Sequence, residues 1–206
     1  MNPKDVSRLW EELRHRDPEE KLRWLEQLAQ NPTDESIEVL LTVLEQESWF
    51  LRDQCSRVLA TLGERVIEPL IEYLGSGLWY TRASAASALG RMGLPLAAAP
   101  LTGLLRDANR TVRDAAWDGL RALARSEIGA YAVAEAFSDL PPRAQRFALD
   151  GLLARDLESG DQIGRVMEEL ARHGGGEREL RRAVNQSDEL SWEDVVGGGG
   201  AGSGGD

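Results

Sequence analysis

Cysteine, histidine and long apolar runs are scarce in this 206-residue chain, and each scarcity removes a class of chemistry. Cys55 is the sole cysteine, so no disulfide can form within the chain. It is expected to be a small buried residue at a helix contact, where free cysteine usually sits. The two histidines, His15 and His173, stand at opposite ends. Neither belongs to a His-Glu dipeptide, and there is no His-x-x-x-His or Cys-x-x-Cys, so a metal site of ordinary ligand spacing is not expected. Each histidine suits a surface position near a helix C-terminus, where positive charge is welcome. There is no glycine-rich phosphate loop, no Gly-x-Ser-x-Gly elbow and no nucleophile with a local partner. The abundant carboxylates mark solvated helix faces. No catalytic residue, metal or cofactor is therefore assigned.

No apolar run approaches the ~20 residues of a membrane span. Nor does the chain open on a charged, apolar and small-residue leader, which makes the cytoplasm the default location. Positive charge is also short: 24 Lys and Arg against 35 Asp and Glu give a net charge of −11. That balance opposes binding to nucleic acid and to anionic membranes. It favours a basic partner, if any.

What the chain does have is a repeat. Arg52, Arg82, Arg113 and Arg143 follow one another at intervals of 30, 31 and 30 residues. Ten residues after each comes Leu62, Met92, Leu123 or Leu153. Seven after come Leu59, Leu89 and Leu120, with Asp150 breaking the series. Fifteen before are Ile37, Ile67, Ala98 and Ile128; twelve before are Leu40, Leu70, Leu101 and Tyr131. Within each copy the apolar residues fall three and four apart, the helical period. Self-similarity at this period predicts a stack of helix, turn, helix units. In the third copy the helices are expected near Leu96–Arg106 and Thr111–Ala124, joined by the turn Asp107-Ala108-Asn109. Gly63 and Gly93 are placed to end second helices in the left-handed conformation.

The run LLRDANRTVRDAAWDGLRALA resembles a HEAT repeat of the short, PBS-lyase HEAT-like type. The residues that carry the likeness are Leu104-Leu105, Asp107, Val112-Arg113, Ala115-Ala116 and Leu120. The likeness spans about Thr33 to Asp156 and weakens in the first and fourth copies. It implies an all-α fold: a right-handed α-solenoid of about five to six antiparallel helix pairs. Residues 1–186 would form it, with 1–31 as an N-terminal cap pair, 33–156 as four clear repeats and 157–186 as a C-terminal cap pair. In the cap, Asp17-Pro18-Glu19-Glu20 reads as a helix start. Residues 187–196 would be an acidic tail motif, and 197–206 a disordered Gly-rich tail. The likeness also implies that the repeated arginines form a ladder with turn carboxylates, with Asp107 serving the third copy. The wider fold includes DNA glycosylases, iron-dependent hydroxylases and bilin lyases. The first need a basic surface and the second several His-Glu pairs, both absent here; the third is an analogy of fold only.

In such stacks the second helices line the concave side. Positions one, four, five and eight after each arginine are expected to face outward there. Among them Ala83, Ala86, Asp114, Trp117, Arg121 and Phe147 form the candidate partner site, a shallow apolar trough with a charged edge. The alternative is that Trp117 and Phe147 turn into the core between repeats. Trp49-Phe50 and Trp79-Tyr80 occupy equivalent turns and are expected to brace neighbouring repeats. Trp192, with Leu190, Val195 and Val196 in the acidic tail, is a second candidate anchor, for another protein or for the chain's own repeats. The functional expectation is a non-catalytic protein-interaction scaffold or adaptor that binds a protein or peptide, either as a monomer or as a subunit of a hetero-complex. A small-ligand, bilin-type lyase or chaperone-like enzyme, and a structural subunit of a larger assembly, are the alternatives.

Overall fold

A helix pair buries only one face of each helix, so this sequence folds by stacking pairs. The computed structural model describes residues 3–14 and 16–173. Within them lie eleven α-helices. They are α1 (Pro3–Arg14), α2 (Pro18–Gln30), α3 (Asp34–Gln46), α4 (Trp49–Ala60), α5 (Ile67–Tyr73) and α6 (Trp79–Met92). There follow α7 (Ala98–Gly103), α8 (Arg110–Leu123), α9 (Glu127–Ser138), α10 (Pro142–Leu153) and α11 (Leu157–His173). Short 3₁₀ turns lead into α5 and flank α7, and no strand occurs among the described residues. The odd-numbered helices form one layer of the stack and the even-numbered helices the other. His15, the expected cap helix beyond residue 173, the acidic segment with Trp192, and the Gly-rich end lie outside the described residues.

The helix boundaries follow local chemistry. Asp17 caps α2 by accepting the Glu20 N–H at 2.8 Å, with Pro18 in the first position. Thr33 and Ser36 close a reciprocal capping box on α3. Ser48, Asn109 and Ser126 cap α4, α8 and α9. Gly93 ends α6 at φ 67°, and Gly63 turns the chain after α4 at φ 60°, a region where a side chain is strained.

Core positions fall where the repeat places them in the first three copies. Leu40, Leu70, Leu101, Leu59, Leu89 and Leu120 are all fully buried. Cys55 is likewise buried and donates its S–H to the Leu40 carbonyl at 3.1 Å. Burial pushes its thiol pKa far up, so it stays protonated and inert. Thr81 ties α6 to the preceding copy through the Leu44 carbonyl at 3.2 Å.

The fourth copy corrects the sequence frame. Its position zero is Gln145, not Arg143. In the first three copies the arginine donates from Nη1 back into its own turn: Arg52 to the Glu47 carbonyl (2.5 Å), Arg82 to that of Ser76 (2.8 Å) and Arg113 to that of Asp107 (2.7 Å). Gln145 does this in the fourth, with its Nε2 on the Ser138 and Leu140 carbonyls at 2.9 and 2.7 Å. Shifting the frame by two residues puts Ala130, Val133, Phe137, Ala148 and Leu152 at core positions, and all are fully buried. Ile128, assigned to the core by the arginine spacing, is 73% exposed, and Tyr131 is exposed with it.

The ladder differs from its expected form too. The Asp107 carboxylate serves the copy before its own: Arg82 grips it through Nε and Nη2 at 2.8 and 2.9 Å. Both side chains are largely buried. In the first copy no acid faces Arg52, which lies over the Tyr80 ring at 4.4 Å instead. The cap pair is joined to the first copy by Lys21 and Glu47 at 2.6 Å, again nearly enclosed.

The second helices do not stack evenly. A methyl group on Gly90 would sit 2.5 Å from the Gly119 Cα, so α6 and α8 meet backbone to backbone. Between α8 and α10 the Trp117 indole fills the gap instead; a methyl group on Gly151 would fall 2.6 Å from that ring.

Two outcomes test this packing. Gly90→Ala should destabilise the fold by about 2 kcal/mol through overpacking, lowering Tm by about 4–8 °C. Gly103→Ala, where the space is open and the backbone already helical (φ −58°), should raise stability slightly. Thermal melts by circular dichroism read both. Asp107→Asn should cost about 2 kcal/mol at pH 7. The Arg82 hydrogen bond holds the Asp107 pKa below its usual value. The carboxylate's contribution is therefore full above the unfolded pKa of about 3.9 and fades as pH falls through the lower folded one. The stability gap between wild type and variant should then narrow below about pH 4 in urea titrations.

Candidate binding surface on the second helices

The exposed face of α4, α6 and α8 is set one residue further round than the arginine frame suggests. Ser56 and Ala86 are fully buried; Ala83 and Ala144 are nearly so. Trp117 is only 3% exposed and belongs to the core between repeats. Ala83, Ala86 and Trp117 therefore line no open surface. The close approach of successive second helices takes up these positions. Outward positions are instead those two, five and nine after the arginine, as with Gln54, Arg57 and Thr61 in α4. Asp114 and Arg121 remain partly exposed, and Phe147 is 49% exposed. In the shifted frame of the fourth copy Phe147 falls two after Gln145, which accounts for its exposure.

The structure brings Asp114, Trp117 and Phe147 into one neighbourhood. Phe147 tilts against Trp117 at a ring-centroid distance of 6.3 Å. Arg155 covers the Trp117 ring at 4.7 Å and approaches Asp114 at 3.9 Å. Arg110 meets the same carboxylate at 3.4 Å. Arg121 pairs with Asp118 at 3.3 Å. The result is an aromatic patch, half open to solvent, inside a rim of both charges.

A matching bridge spans α4 and α6, where Arg91 donates to Asp53 at 2.8 Å and also to the Ser56 hydroxyl. Partial burial alone would raise the Asp53 pKa, but Arg91 and Arg57 together hold it below the usual carboxylate range. Asp53 and Asp114 are the residues directly after their arginines, so the same position builds both bridges. The arginine frame identified the two acids. It missed Arg91 and Arg155, whose partners lie one repeat away.

Open hollows lie between neighbouring helices. One of about 380 Å³ separates α2 from α4, lined by Leu22, Glu26, Ala29, Gln54, Arg57 and Thr61. A smaller one, about 150 Å³, lies over the Gly90–Gly119 contact beside Arg91 and Asp118. A third, about 380 Å³, separates α10 from α11 beside Leu149, Asp161 and Glu168. Among the described residues no group of three His, Cys, Asp or Glu is placed to hold a metal ion. No described helix is long and apolar enough to cross a membrane.

The aromatics at the turns depart from expectation. Trp49 is 74% and Trp79 44% exposed, with Phe50 and Leu78 open beside them. Tyr80 alone braces its neighbour, through Arg52. Their position at helix N-termini, two and three residues before each arginine, leaves the rings beyond the last layer of core.

Two solved structures and one family show similarity to this chain. An engineered protein of solved structure is 19% identical, with 84% of this chain and 98% of that chain covered, at a TM-score of 0.41. The complex of CpcE and CpcF of phycocyanin lyase from Nostoc sp. PCC7120 is 16% identical, covering 80% and 94%, at a TM-score of 0.38. No curated protein matches the sequence. The family described as HEAT repeats matches residues 37–124 and 67–152, more than half of the chain, and the protein belongs to that family.

Proposed function

We propose that the chain is a non-catalytic interaction scaffold that binds a protein or peptide across its second-helix face, which we take to be the concave one. The observation that carries this reading is Phe147, held half exposed against Trp117 within a rim of Asp114, Asp118, Arg121 and Arg155. A rigid aromatic ringed by polar groups is the usual anchor of a protein interface. The flanking hollows between helices offer places for side chains of a bound helix or strand. The chain's acidic balance suits a partner with basic residues around an apolar anchor. An enzymatic reading would need convergent polar groups in an enclosed pocket. On this face Asp53, Asp114 and Asp118 are engaged in ion pairs with Arg91, Arg155 and Arg121, and the flanking hollows are open rather than enclosed.

The test separates the two aromatics. Phe147→Ala should weaken capture of the partner by at least tenfold and leave Tm within about 1 °C, because the ring is half exposed. Trp117→Ala should instead destabilise the fold by about 3–5 kcal/mol, as removal of a buried aromatic does. Undiminished capture by a well-folded Phe147→Ala protein would remove the second-helix face as the binding site.

A further inference from the structure

Successive helices run in opposite directions, so α2, α4, α6 and α8 all begin on one long edge of the stack. Four connecting turns follow one another along that edge: α1–α2, α3–α4, α5–α6 and α7–α8. The second helices pack in the same order, α2 on α4, α4 on α6 and α6 on α8. The turns differ in chemistry, and their order has a symmetry.

The two middle turns are aromatic. Trp49 and Phe50 open α4, Leu78 and Trp79 open α6, and all four are exposed. Trp49 packs edge to face on Phe50 at 6.1 Å, and Trp79 on Tyr80 at 5.7 Å. Residues 74–81, LGSGLWYT, carry no charge. Beside Trp49, Glu47 is neutralised by Lys21. Glu45 and Glu72 stand among the last residues of α3 and α5, just before these turns. Four large apolar side chains in the open, on adjacent turns, mark a binding surface rather than scattered exposure.

The two outer turns are oppositely charged. Between α1 and α2, Asp17, Glu19 and Glu20 are exposed, against a half-buried Arg16 held over the Trp24 ring at 5.7 Å. Between α7 and α8, Arg106 and Arg110 are exposed, and the acid between them, Asp107, is taken up by Arg82. Arg110 also reaches Asp114 at 3.4 Å, but with 86% of its side chain exposed such a pair holds it weakly. The next turn, between α9 and α10, exposes one charge of each sign, Asp139 and Arg143.

The edge therefore runs acidic, aromatic, aromatic, basic. Half a rotation about an axis through its middle reverses that order. Each aromatic turn then meets the other aromatic turn of a second chain, and each acidic turn meets a basic one. A two-fold contact uses the same patch on both partners and requires that patch to complement itself. This edge does so, whereas a partner of uniform charge would be repelled at one end.

We propose that this edge is the interface of a two-fold homodimer. Trp49 and Phe50 of each copy lie against Leu78 and Trp79 of the other, with Asp17, Glu19 and Glu20 facing Arg106 and Arg110. The contact engages turns, so the second-helix face stays open on both copies. The dimer then presents two Phe147 patches and grips a partner with two binding segments more tightly than one copy can.

Sedimentation equilibrium of the full chain over a range of concentrations tests this. A monomer–dimer equilibrium is expected. Trp49→Ala with Trp79→Ala should weaken it at least tenfold and leave helicity unchanged by circular dichroism, because both rings are exposed. Reversing one charged end, by Glu19→Lys with Glu20→Lys or by Arg106→Glu with Arg110→Glu, should also weaken it at least tenfold. Mixing the two reversed proteins should restore a dimer, because each then meets its complement at both ends. A chain that stays monomeric at millimolar concentration overturns the proposal. So does a dimer that survives the tryptophan variant, or a pair of helical reversed proteins that fail to associate. Loss of the dimer on Phe147→Ala alone would place the contact on the second-helix face and overturn it equally.

Discussion

Burial between neighbouring second helices is the constraint on which the other features rest. A pair of about thirty residues encloses too little apolar surface to outweigh the entropy of ordering it. Each copy therefore completes its core only against the next. Where α6 meets α8, the contact needs glycine on both sides, and Gly90 and Gly119 supply it. Where α8 meets α10, an indole replaces backbone contact and Gly151 makes room for it. These joints decide which residues stay outside. Ala83 and Ala86 are drawn in by close helix packing, whereas Phe147 is left on the rim of a joint held apart by Trp117.

Polar bonds follow the same logic at smaller scale. Arginines in the first three copies, and Gln145 in the fourth, tie each second helix to its own turn through carbonyls. Bonds between copies are more varied: a bidentate Arg82–Asp107 pair, a cation over Tyr80, and bridges from Asp53 to Arg91 and from Asp114 to Arg155. Each joint thus has its own chemistry above a common apolar seam. The surface inherits that variety, with charge pairs beside Phe147 and aromatics at the starts of α4 and α6.

The sequence made the helix pairs legible because leucines recur at fixed distances from an arginine. It made the fourth copy illegible by the same device, since Arg143 sits close to the expected place while Gln145 does the work. Amphipathic pattern finds the core stripe but not its width. That width depends on how near the next helix comes, and two glycines in different copies set it. Trp117 shows the limit: its spacing allows both an outward and an inward ring, and only the neighbouring Gly151 makes the inward one fit. The turn aromatics were misplaced for a related reason. A large apolar residue suggests burial, yet the first residue of a helix lies beyond the layer its neighbours pack in. Among the residues expected on the surface, Asp114 and Phe147 are open to solvent, Phe147 through the shifted frame rather than the arginine spacing, whereas Arg91 and Arg155 needed the stack.

The unequal joints mean that the copies are not interchangeable parts. Copy two ends its second helix with the glycine that copy three requires, and copy three supplies the aspartate that copy two's arginine grips. Exchanging their order would set Trp117 against Ala88, where Gly151 now makes room for it, and would part Arg82 from Asp107. Duplicating either one would create a joint that this chain has never had to close. Lengthening the array by recombination would therefore succeed only in units that carry both halves of a joint.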